Sequence, residues 1–235
     1  MAMIYSSDAN QTLNEFLANI IDKDSTVVIP DLQRPYIWKP DQVILLVDSI
    51  FKKWPFGSLL CWRVKKRSGS QDFIPYRSFW REVVRMVPVK QSHEMSVNKA
   101  SNNFLMILDG QQRIQSLLLA LGGESWGFTL TDREWKKVIE EKDEYIDSVN
   151  WSTGCLCLDT KKFLNEYERC NKICSYIEVG KCLSWIITDD INGTSSMDKK
   201  QVLPFISEEK GRYVRFSKLW NSAESMVQTP DRYES

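Results

Sequence analysis

Histidine is nearly missing from this sequence, in which His93 is the only one among 235 residues. A single histidine cannot form a His-rich metal site, and no nuclease site that combines histidine with metal-binding partners can be recognised. His93 also lies in the polar stretch KQSHEMSVNKASNN, which is typical of a loop. We therefore expect neither a histidine-based metal centre nor a lone histidine base.

Long apolar runs are missing as well. The longest, such as residues 43–47 and 117–121, are far shorter than the roughly 20 residues of a membrane-spanning helix. The N-terminal stretch MAMIYSSDANQ lacks the basic and then apolar order of a signal peptide. Glycine (10) and proline (8) are few and 43% of residues are hydrophobic, which excludes collagen-like and disordered classes. We expect a globular cytoplasmic protein with no membrane partner.

No charge of one sign is in excess, because 31 Lys and Arg residues balance 31 Asp and Glu residues. This balance argues against a protein whose whole surface binds a polyanion. Residues 51–100 nevertheless contain eleven basic and three acidic residues. The favoured interpretation is a solvated surface loop, and the alternative is a basic face that binds DNA. The basic residues concerned are Lys52, Lys53, Arg63, Lys65, Lys66 and Arg67.

The six cysteines are not expected to form disulfides, since the sequence shows no secretion signal. Cys155 and Cys157 alternate onto one face of a predicted strand, and Cys170 and Cys174 lie one helical turn apart. Four thiolates in these positions would permit a zinc site, although no CxxC pair is present. Buried thiols are the favoured interpretation.

Apolar spacing predicts a regular order of elements in the first half of the chain. Helices are predicted for residues 11–22 and from Pro40 to the turn at residues 54–57, and strands for residues 26–30 and 58–64. Residues 73–89 have a mixed pattern and receive no assignment. The run FLMIL at residues 104–108 is typical of a central strand covered on both faces. It continues into DGQQR, after which helical spacing extends to Gly122 and Gly123.

The second half contains fewer clear patterns. Residues 131–147 and 161–170 are predicted as helices, residues 154–158 as a strand, and residues 175–187 and 212–219 as ordered segments. The expected fold class is α/β, of the α+β kind, with a small mixed sheet and flanking helices in residues 1–125. A mainly helical extension is expected in residues 126–235. Either the chain is a fragment of a longer protein or its nuclease is a separate subunit.

The turn at residues 109–113 has the composition of a phosphate-binding site. A helix N-terminus offers unpaired amide donors and a positive dipole end, and Gly110 lets a ligand approach the backbone. Arg113 can bind two phosphate oxygens, and Asp109 can cap the helix or hold a water of Mg²⁺. A glutamine next to the glycine can orient an attacking water. For this motif taken alone, a helix-capping turn with solvated side chains is the favoured alternative.

The segment IPDLQRPYIW at residues 29–38 is the second candidate. Its two prolines stiffen the chain and favour extended geometry, so Gln33, Arg34 and Tyr36 are presented from a rigid ribbon. Tyr36 and Trp38 either stack on a base or complete the core, and the core is favoured for Trp38.

The ordered set IPDLQRPYIW, WPFGSLL and ILDGQQRIQSLL resembles the N-terminal domain of GmrSD-type modification-dependent restriction systems and their phage-defence relatives. Those domains are placed in the ParB/sulfiredoxin superfamily. The resemblance covers residues 10–125 and is loose beyond them. It implies a core in which Gln33 and Arg34 face the turn at residues 109–113 across a nucleotide pocket. Sulfiredoxin activity is not expected, because that enzyme needs a cysteine where this chain has glutamines.

The resemblance also implies a function. In that family the DGQQR motif is associated with binding and hydrolysis of a nucleoside triphosphate, GTP or ATP, with Mg²⁺, which regulates a nuclease that acts on modified DNA. Matched by position, the catalytic residues are Asp109, Gln111, Gln112 and Arg113, and the nucleotide-binding residues are Gln33, Arg34, Tyr36 and Gly110. The nuclease is expected outside this chain, as a further domain or a separate subunit.

Two alternatives to an NTPase stay open. One is a nucleotide-gated DNA-binding module that does not hydrolyse its ligand, and the other is a scaffold that only contacts a partner nuclease. The tripeptide Asp159-Thr160-Lys161 follows a predicted strand, like the D-x-K half of a restriction-nuclease site. No acidic partner precedes it in a matching strand, so a nuclease site is not expected there.

Overall fold

A computed structural model describes eight stretches of the chain, residues 3–5, 10–65, 75–84, 103–123, 126–130, 152–173, 176–188 and 213–219. The chain divides into two compact units between Trp126 and Gly127. Several residues discussed above lie outside the described stretches, namely His93, Lys66, Arg67, Cys174 and residues 131–147.

The first unit contains three helices among short strands. In chain order the elements are β1 (Met3–Tyr5), β2 (Asn10–Thr12), α1 (Leu13–Ile21), β3 (Val27–Pro30), α2 (Pro40–Phe51), β4 (Leu60–Lys65), β5 (Tyr76–Arg77), β6 (Glu82–Val84), β7 (Asn103–Asp109) and α3 (Gln111–Leu121). Each helix and strand predicted for this part of the chain is present, with bounds that differ by one or a few residues. The confirmed elements are those in which apolar spacing and a turn signal agree.

A four-stranded sheet with the order β4-β7-β3-β5 forms the centre of this unit. Strands β3 and β7 are parallel, with Val27 opposite Leu105, so both strands end at the same edge of the sheet. Strand β4 is antiparallel to β7, with Leu60 opposite Asp109, so β4 begins at that edge. The chain therefore brings three separate loops to one place.

The core of the first unit lies between this sheet and the helices. Val28, Phe104 and Met106 form a buried cluster on which the half-buried Tyr76 ring packs, with ring centroids of Tyr76 and Phe104 4.9 Å apart. Ten of the eleven residues of α3 are buried. Because that helix is buried all round, its glutamine and serine side chains need hydrogen-bond partners inside the protein.

The second unit is built around one long strand. Its elements are β8 (Gly127–Leu130), β9 (Ser152–Asp159), α4 (Thr160–Arg169), α5 (Val179–Cys182), β10 (Leu183–Thr188) and β11 (Tyr213–Arg215). Strand β10 pairs antiparallel along one edge of β9, while β8 and β11 pair antiparallel with the two ends of its other edge.

In the described part of residues 126–235, the strands β8 to β11 accompany α4, α5 and a helical turn at residues 216–219. The expectation of a mainly helical extension stays a prediction, because most of this range lies outside the described stretches. The run LSWIIT at residues 183–188 contains the β-branched and aromatic residues that favour a strand, and β9 provides its partner. The predicted class is confirmed, since a small mixed sheet with flanking helices makes the fold α+β. Within the described stretches, no helix is long and apolar enough to cross a membrane.

Candidate functional site

Three segments meet at the edge where β3 and β7 end: residues 31–38, 54–59 and 109–113. We call this group the edge site. Residues 31–38 follow β3, residues 54–59 precede β4, and residues 109–113 join β7 to α3. The parallel pairing of β3 and β7 is what places the two sequence motifs side by side, although they are separated by more than seventy positions.

Gln33 and Gln111 join the two motifs directly. The Nε2 group of Gln33 donates to the carbonyl oxygen of Leu108 at 2.7 Å. The Nε2 group of Gln111 donates to Oε1 of Gln33 at 3.1 Å and to the carbonyl oxygen of Arg34 at 3.2 Å. The end of β7 and the first residue of α3 thus hold residues 31–38 in place, and we call this segment the ribbon.

Gln112 binds the same ribbon one step further along. Its Nε2 group donates to the carbonyl oxygen of Pro35 at 3.0 Å, and its Oε1 atom accepts from the N–H of Ile37 at 3.0 Å. The side-chain amide therefore pairs with the backbone as a peptide group does in a β-ladder. Both polar atoms of Gln112 are engaged, which makes it a positioning residue. The Oε1 atom of Gln111, by contrast, accepts no hydrogen bond from the described residues.

Tyr36 is buried in the core with 4% of its surface exposed. Its hydroxyl lies 2.7 Å from Oγ of Ser116, which itself donates to the carbonyl oxygen of Gln112 at 2.7 Å. Since a serine hydroxyl has one proton, Tyr36 is the donor of this pair. Burial is the largest influence on the pKa of Tyr36 and raises it. A base-stacking role does not fit this position, and Tyr36 anchors the ribbon to α3.

Gly110 makes the turn from β7 into α3. Its φ is +92°, in the left-handed region, and it occupies the N-cap position without a side chain to bond the first helical amides. A Cβ atom at this position would collide with the side chain of Leu59. Glycine is therefore required both by the backbone conformation and by the close packing of residues 54–59.

Arg113 ties the third segment to the other two. Its Nη1 group donates to the carbonyl oxygen of Phe56 at 3.0 Å, and its Nη2 group donates to Oδ2 of Asp109 at 3.1 Å. The arginine side chain is 17% exposed, whereas that of Asp109 is 70% exposed. Gly57, with φ +94°, leaves the space that the guanidinium fills. Arg113 thus holds an outward-facing carboxylate in a fixed place.

Arg34 completes the outward-facing charges. Its side chain is exposed, while its carbonyl oxygen accepts from Gln111. The DGQQR and QR motifs thus present one cation and one carboxylate to solvent from a backbone that hydrogen bonds hold in place. A guanidinium and the amides of a helix N-terminus can bind an anion, and a carboxylate can hold its counter-cation.

Arg77, Trp80 and Gln115 belong to the same network but were not predicted. The Nη2 group of Arg77 donates to the carbonyl oxygens of Gln33 and Arg34 at 3.2 and 3.1 Å. Gln115 pairs with both the N–H and the carbonyl of Trp80, at 3.0 and 2.7 Å. The unassigned pattern of residues 73–89 concealed the first two. The polar residues Gln115 and Ser116, between the apolar Ile114 and Leu117, were the available signal.

Comparison with known protein families assigns the chain to one of them. The model of the GmrSD restriction endonuclease, N-terminal domain, matches residues 13–224. The chain belongs to this family. The predicted resemblance is confirmed, and the match continues past residue 125 through most of the second unit, where we expected only a loose likeness. No curated protein matched the chain.

The GmrSD description makes the chain a component of a restriction system, which has a nuclease as a domain or partner. In this GmrSD domain the tripeptide at Asp159 has a structural role. Asp159 is 1% exposed, and its Oδ1 atom accepts from the N–H groups of Lys161 and Lys162 at 3.1 and 3.2 Å. A buried helix cap of this kind is unavailable as a metal ligand of a D-x-K site.

No disulfide forms among the cysteines that the structure describes in the GmrSD domain. Cys155, Cys157, Cys170 and Cys182 are buried and Cys61 is half-buried. Burial, as the largest cause, raises the pKa of Cys157 to about 12, so this thiol stays protonated at neutral pH. No group of three or more His, Cys, Asp or Glu side chains that could hold a metal occurs among the described residues.

Proposed function

We propose that the edge site binds a nucleoside triphosphate together with Mg²⁺ and hydrolyses it in the cytoplasm, and that this cycle controls the nuclease of the restriction system. The observation that carries the proposal is the direct hydrogen bonding of the QR and DGQQR motifs at the N-terminus of α3. Membership of the GmrSD family supports it, since that family is named for a restriction endonuclease.

The N-terminus of α3 supports phosphate binding. The helix is 11 residues long and its N-cap makes no side-chain hydrogen bond. Amides at an uncapped N-terminus, together with the helix dipole, attract anionic oxygens. Arg34 adds an exposed guanidinium whose planar fork matches two phosphate oxygens.

Asp109 supports the presence of Mg²⁺. Mg²⁺ commonly keeps several waters and is bound by one or two carboxylates together with the phosphates of its substrate. The carboxylate of Asp109 is mostly exposed, and Arg113 engages its Oδ2 atom only. The residue therefore fits a water-mediated or direct contact. When bound, Mg²⁺ would supply charge neutralisation on the triphosphate.

We assign roles according to which atoms are engaged. Arg34 contacts the phosphates, and Oε1 of Gln111 orients the attacking water. Gln112, Tyr36 and Arg113 keep these groups in position through the hydrogen bonds described above. Hydrolysis arranged in this way depends on positioning and electrostatic stabilisation, without a covalent nucleophile.

Thermal unfolding of the full chain with Mg²⁺ and each of GTP, ATP, CTP and UTP tests the proposal. A ligand at 100 times its dissociation constant adds about 2.7 kcal/mol to the free energy of unfolding, which raises Tm by several degrees. We expect one nucleotide to produce this shift, Arg34→Ala to abolish it and Arg81→Ala, at another exposed arginine, to retain it. Absence of a shift with all four nucleotides would contradict the proposal.

A nucleotide-gated DNA-binding module is the second candidate, and several exposed side chains between residues 53 and 65 favour it. Lys53, Arg63 and Lys65 are exposed, and Trp54 and Trp62 beside them in sequence are 60% and 45% exposed. Basic side chains interleaved with aromatic rings suit a nucleic acid. If these side chains bind DNA, affinity should fall steeply with salt and decrease in Arg63→Ala. No gel shift at low salt, with or without nucleotide, would exclude this candidate.

A further inference from the structure

The backbone of Arg34 is held from two different elements. Its carbonyl oxygen accepts from Nη2 of Arg77 at 3.1 Å and from Nε2 of Gln111 at 3.2 Å. The same Nη2 group of Arg77 donates to the carbonyl oxygen of Gln33 at 3.2 Å. The peptide groups on both sides of Arg34 are thus fixed, although its side chain is exposed.

Arg77 is itself held by a buried aromatic ring. Its Cζ atom lies 4.0 Å from the ring centroid of Trp80, which is 4% exposed. The N–H and carbonyl of Trp80 are both bound by the side-chain amide of Gln115, at 3.0 and 2.7 Å. Helix α3 therefore fixes Arg34 twice, directly through Gln111 and indirectly through Gln115, Trp80 and Arg77.

In this network Arg77 makes a combination of contacts that a lysine could not make. A planar guanidinium can stack on an indole ring while its edge donates to two carbonyls, whereas an ammonium group acts as a point charge. An arginine whose backbone is already ordered loses less conformational entropy when its side chain binds a ligand.

We propose that Arg77 is a positioning residue of the edge site, which acts on the triphosphate through Arg34. The inference rests on the proposed function, because it assigns Arg34 to the phosphates. Arg77 could instead only stabilise β5, in which case its loss would act on the whole unit and not through Arg34. A double-mutant cycle separates these two roles, since independent contributions multiply in the dissociation constant and coupled ones do not.

The test measures the Kd of N-methylanthraniloyl-GTP and N-methylanthraniloyl-ATP with Mg²⁺, using the full chain and the variants Arg34→Met, Arg77→Met and the double variant. We expect each single variant to raise Kd about tenfold, equivalent to about 1.4 kcal/mol. In the background of Arg34→Met, the change Arg77→Met should alter Kd by less than about twofold, because the coupling of about 1.4 kcal/mol is then lost.

Two further variants control the experiment. Arg81→Met removes an exposed arginine four positions along the chain and should leave Kd unchanged. Arg77→Lys keeps the charge without the planar fork, and we expect it to bind as weakly as Arg77→Met. If Arg77→Met does not fold, as judged by the unfolding transition without nucleotide, Arg77→Lys takes its place in the cycle.

The outcomes distinguish the two proposals. If neither analogue binds the unaltered chain and none of the four nucleotides shifts its unfolding transition, the proposed function fails and the inference fails with it. If Arg34→Met weakens binding but Arg77→Met does not, only the inference fails. An equal increase in Kd caused by Arg77→Met in both backgrounds would also overturn it, because Arg77 would then act independently of Arg34.

Discussion

The two units each contain a strand that runs through an aspartate into a helix, yet the two junctions are opposites. At the start of α4, Asp159 is buried and its carboxylate binds the amides of Lys161 and Lys162. At the start of α3, the carboxylate of Asp109 is 70% exposed and the N-cap position belongs to Gly110. One intervening glycine moves the acid out of the cap.

This difference separates a helix start that a side chain of the protein caps from one that no side chain caps. The amides of α4 are satisfied within the protein, so that junction is structural. The amides of α3 have no side-chain cap and lie beside a carboxylate held by Arg113. The two helices also differ in burial, since ten residues of α3 are buried and no residue of α4 is buried. The buried helix is thus the one whose N-terminus has no side-chain cap.

Gly110→Ala is expected to have the largest effect on stability. The left-handed conformation costs about 1–2 kcal/mol for a residue with a Cβ atom, and the Leu59 side chain must shift to make room for it. Gly123→Ala is the matched control, since φ there is +114° but a Cβ would meet nothing within 4 Å. Urea unfolding should show the larger loss for Gly110→Ala. Equal losses would show that Leu59 packing is not decisive.

Arg113→Ala should lower NTP turnover at least about tenfold, corresponding to a loss of more than about 1.4 kcal/mol of transition-state stabilisation. The variant loses the hydrogen bonds to Phe56 and Asp109 that hold the open junction together. Arg169→Ala, which breaks the exposed pair with Glu166 on α4, is the control and should leave turnover unchanged. Unchanged turnover in Arg113→Ala would remove the assignment of this residue.

Exchanging the two aspartates for alanine should separate stability from activity. Asp159→Ala loses a buried N-cap, which costs about 1 kcal/mol in the free energy of unfolding, and should leave hydrolysis unchanged. Asp109→Ala loses an exposed ion pair that contributes less than about 1 kcal/mol, but should abolish hydrolysis. Paired unfolding and turnover assays measure both. Loss of activity in Asp159→Ala without unfolding would contradict the comparison.

The smallest effect is expected at a third helix start, that of α1. There the N–H and hydroxyl of Thr12 donate to the carboxylate of Glu15 and lower its pKa. Since the folded pKa is lowered, this contribution is present above the unfolded pKa and is lost as pH falls through the folded pKa. The Tm difference between the unaltered chain and Glu15→Gln should therefore shrink on acidification below about pH 4.3. A difference independent of pH would argue against the cap.

The local features of the edge site could be predicted from sequence, because they depend on neighbouring residues. The run FLMIL followed by Asp-Gly indicated a strand, a tight turn and a helix, and the structure has all three. The partners of the glutamines could not be predicted in this way. Gln112 binds residues 75 positions away, and only the parallel pairing of β3 and β7 brings them together.

The network of Arg77 and the strand β10 were missed for a related reason. The short strand β5 contributes two residues, and no period can be recognised in so brief a segment. Strand β10 depends on its pairing with β9, which tertiary context decides. The sequence allowed either Gln111 or Gln112 to orient the attacking water, whereas hydrogen bonding assigns Gln112 to the backbone.

The octet DGQQRIQS at residues 109–116 depends on contacts with other parts of the first unit. Gln111, Gln112, Gln115 and Ser116 each hydrogen-bond to a residue outside it, on the ribbon or at Trp80. A protein engineer who transplanted these eight residues into another strand-turn-helix scaffold would bury several amides without their partners. A functional graft would have to carry residues 33–37, Phe56 and the Arg77–Trp80 segment as well.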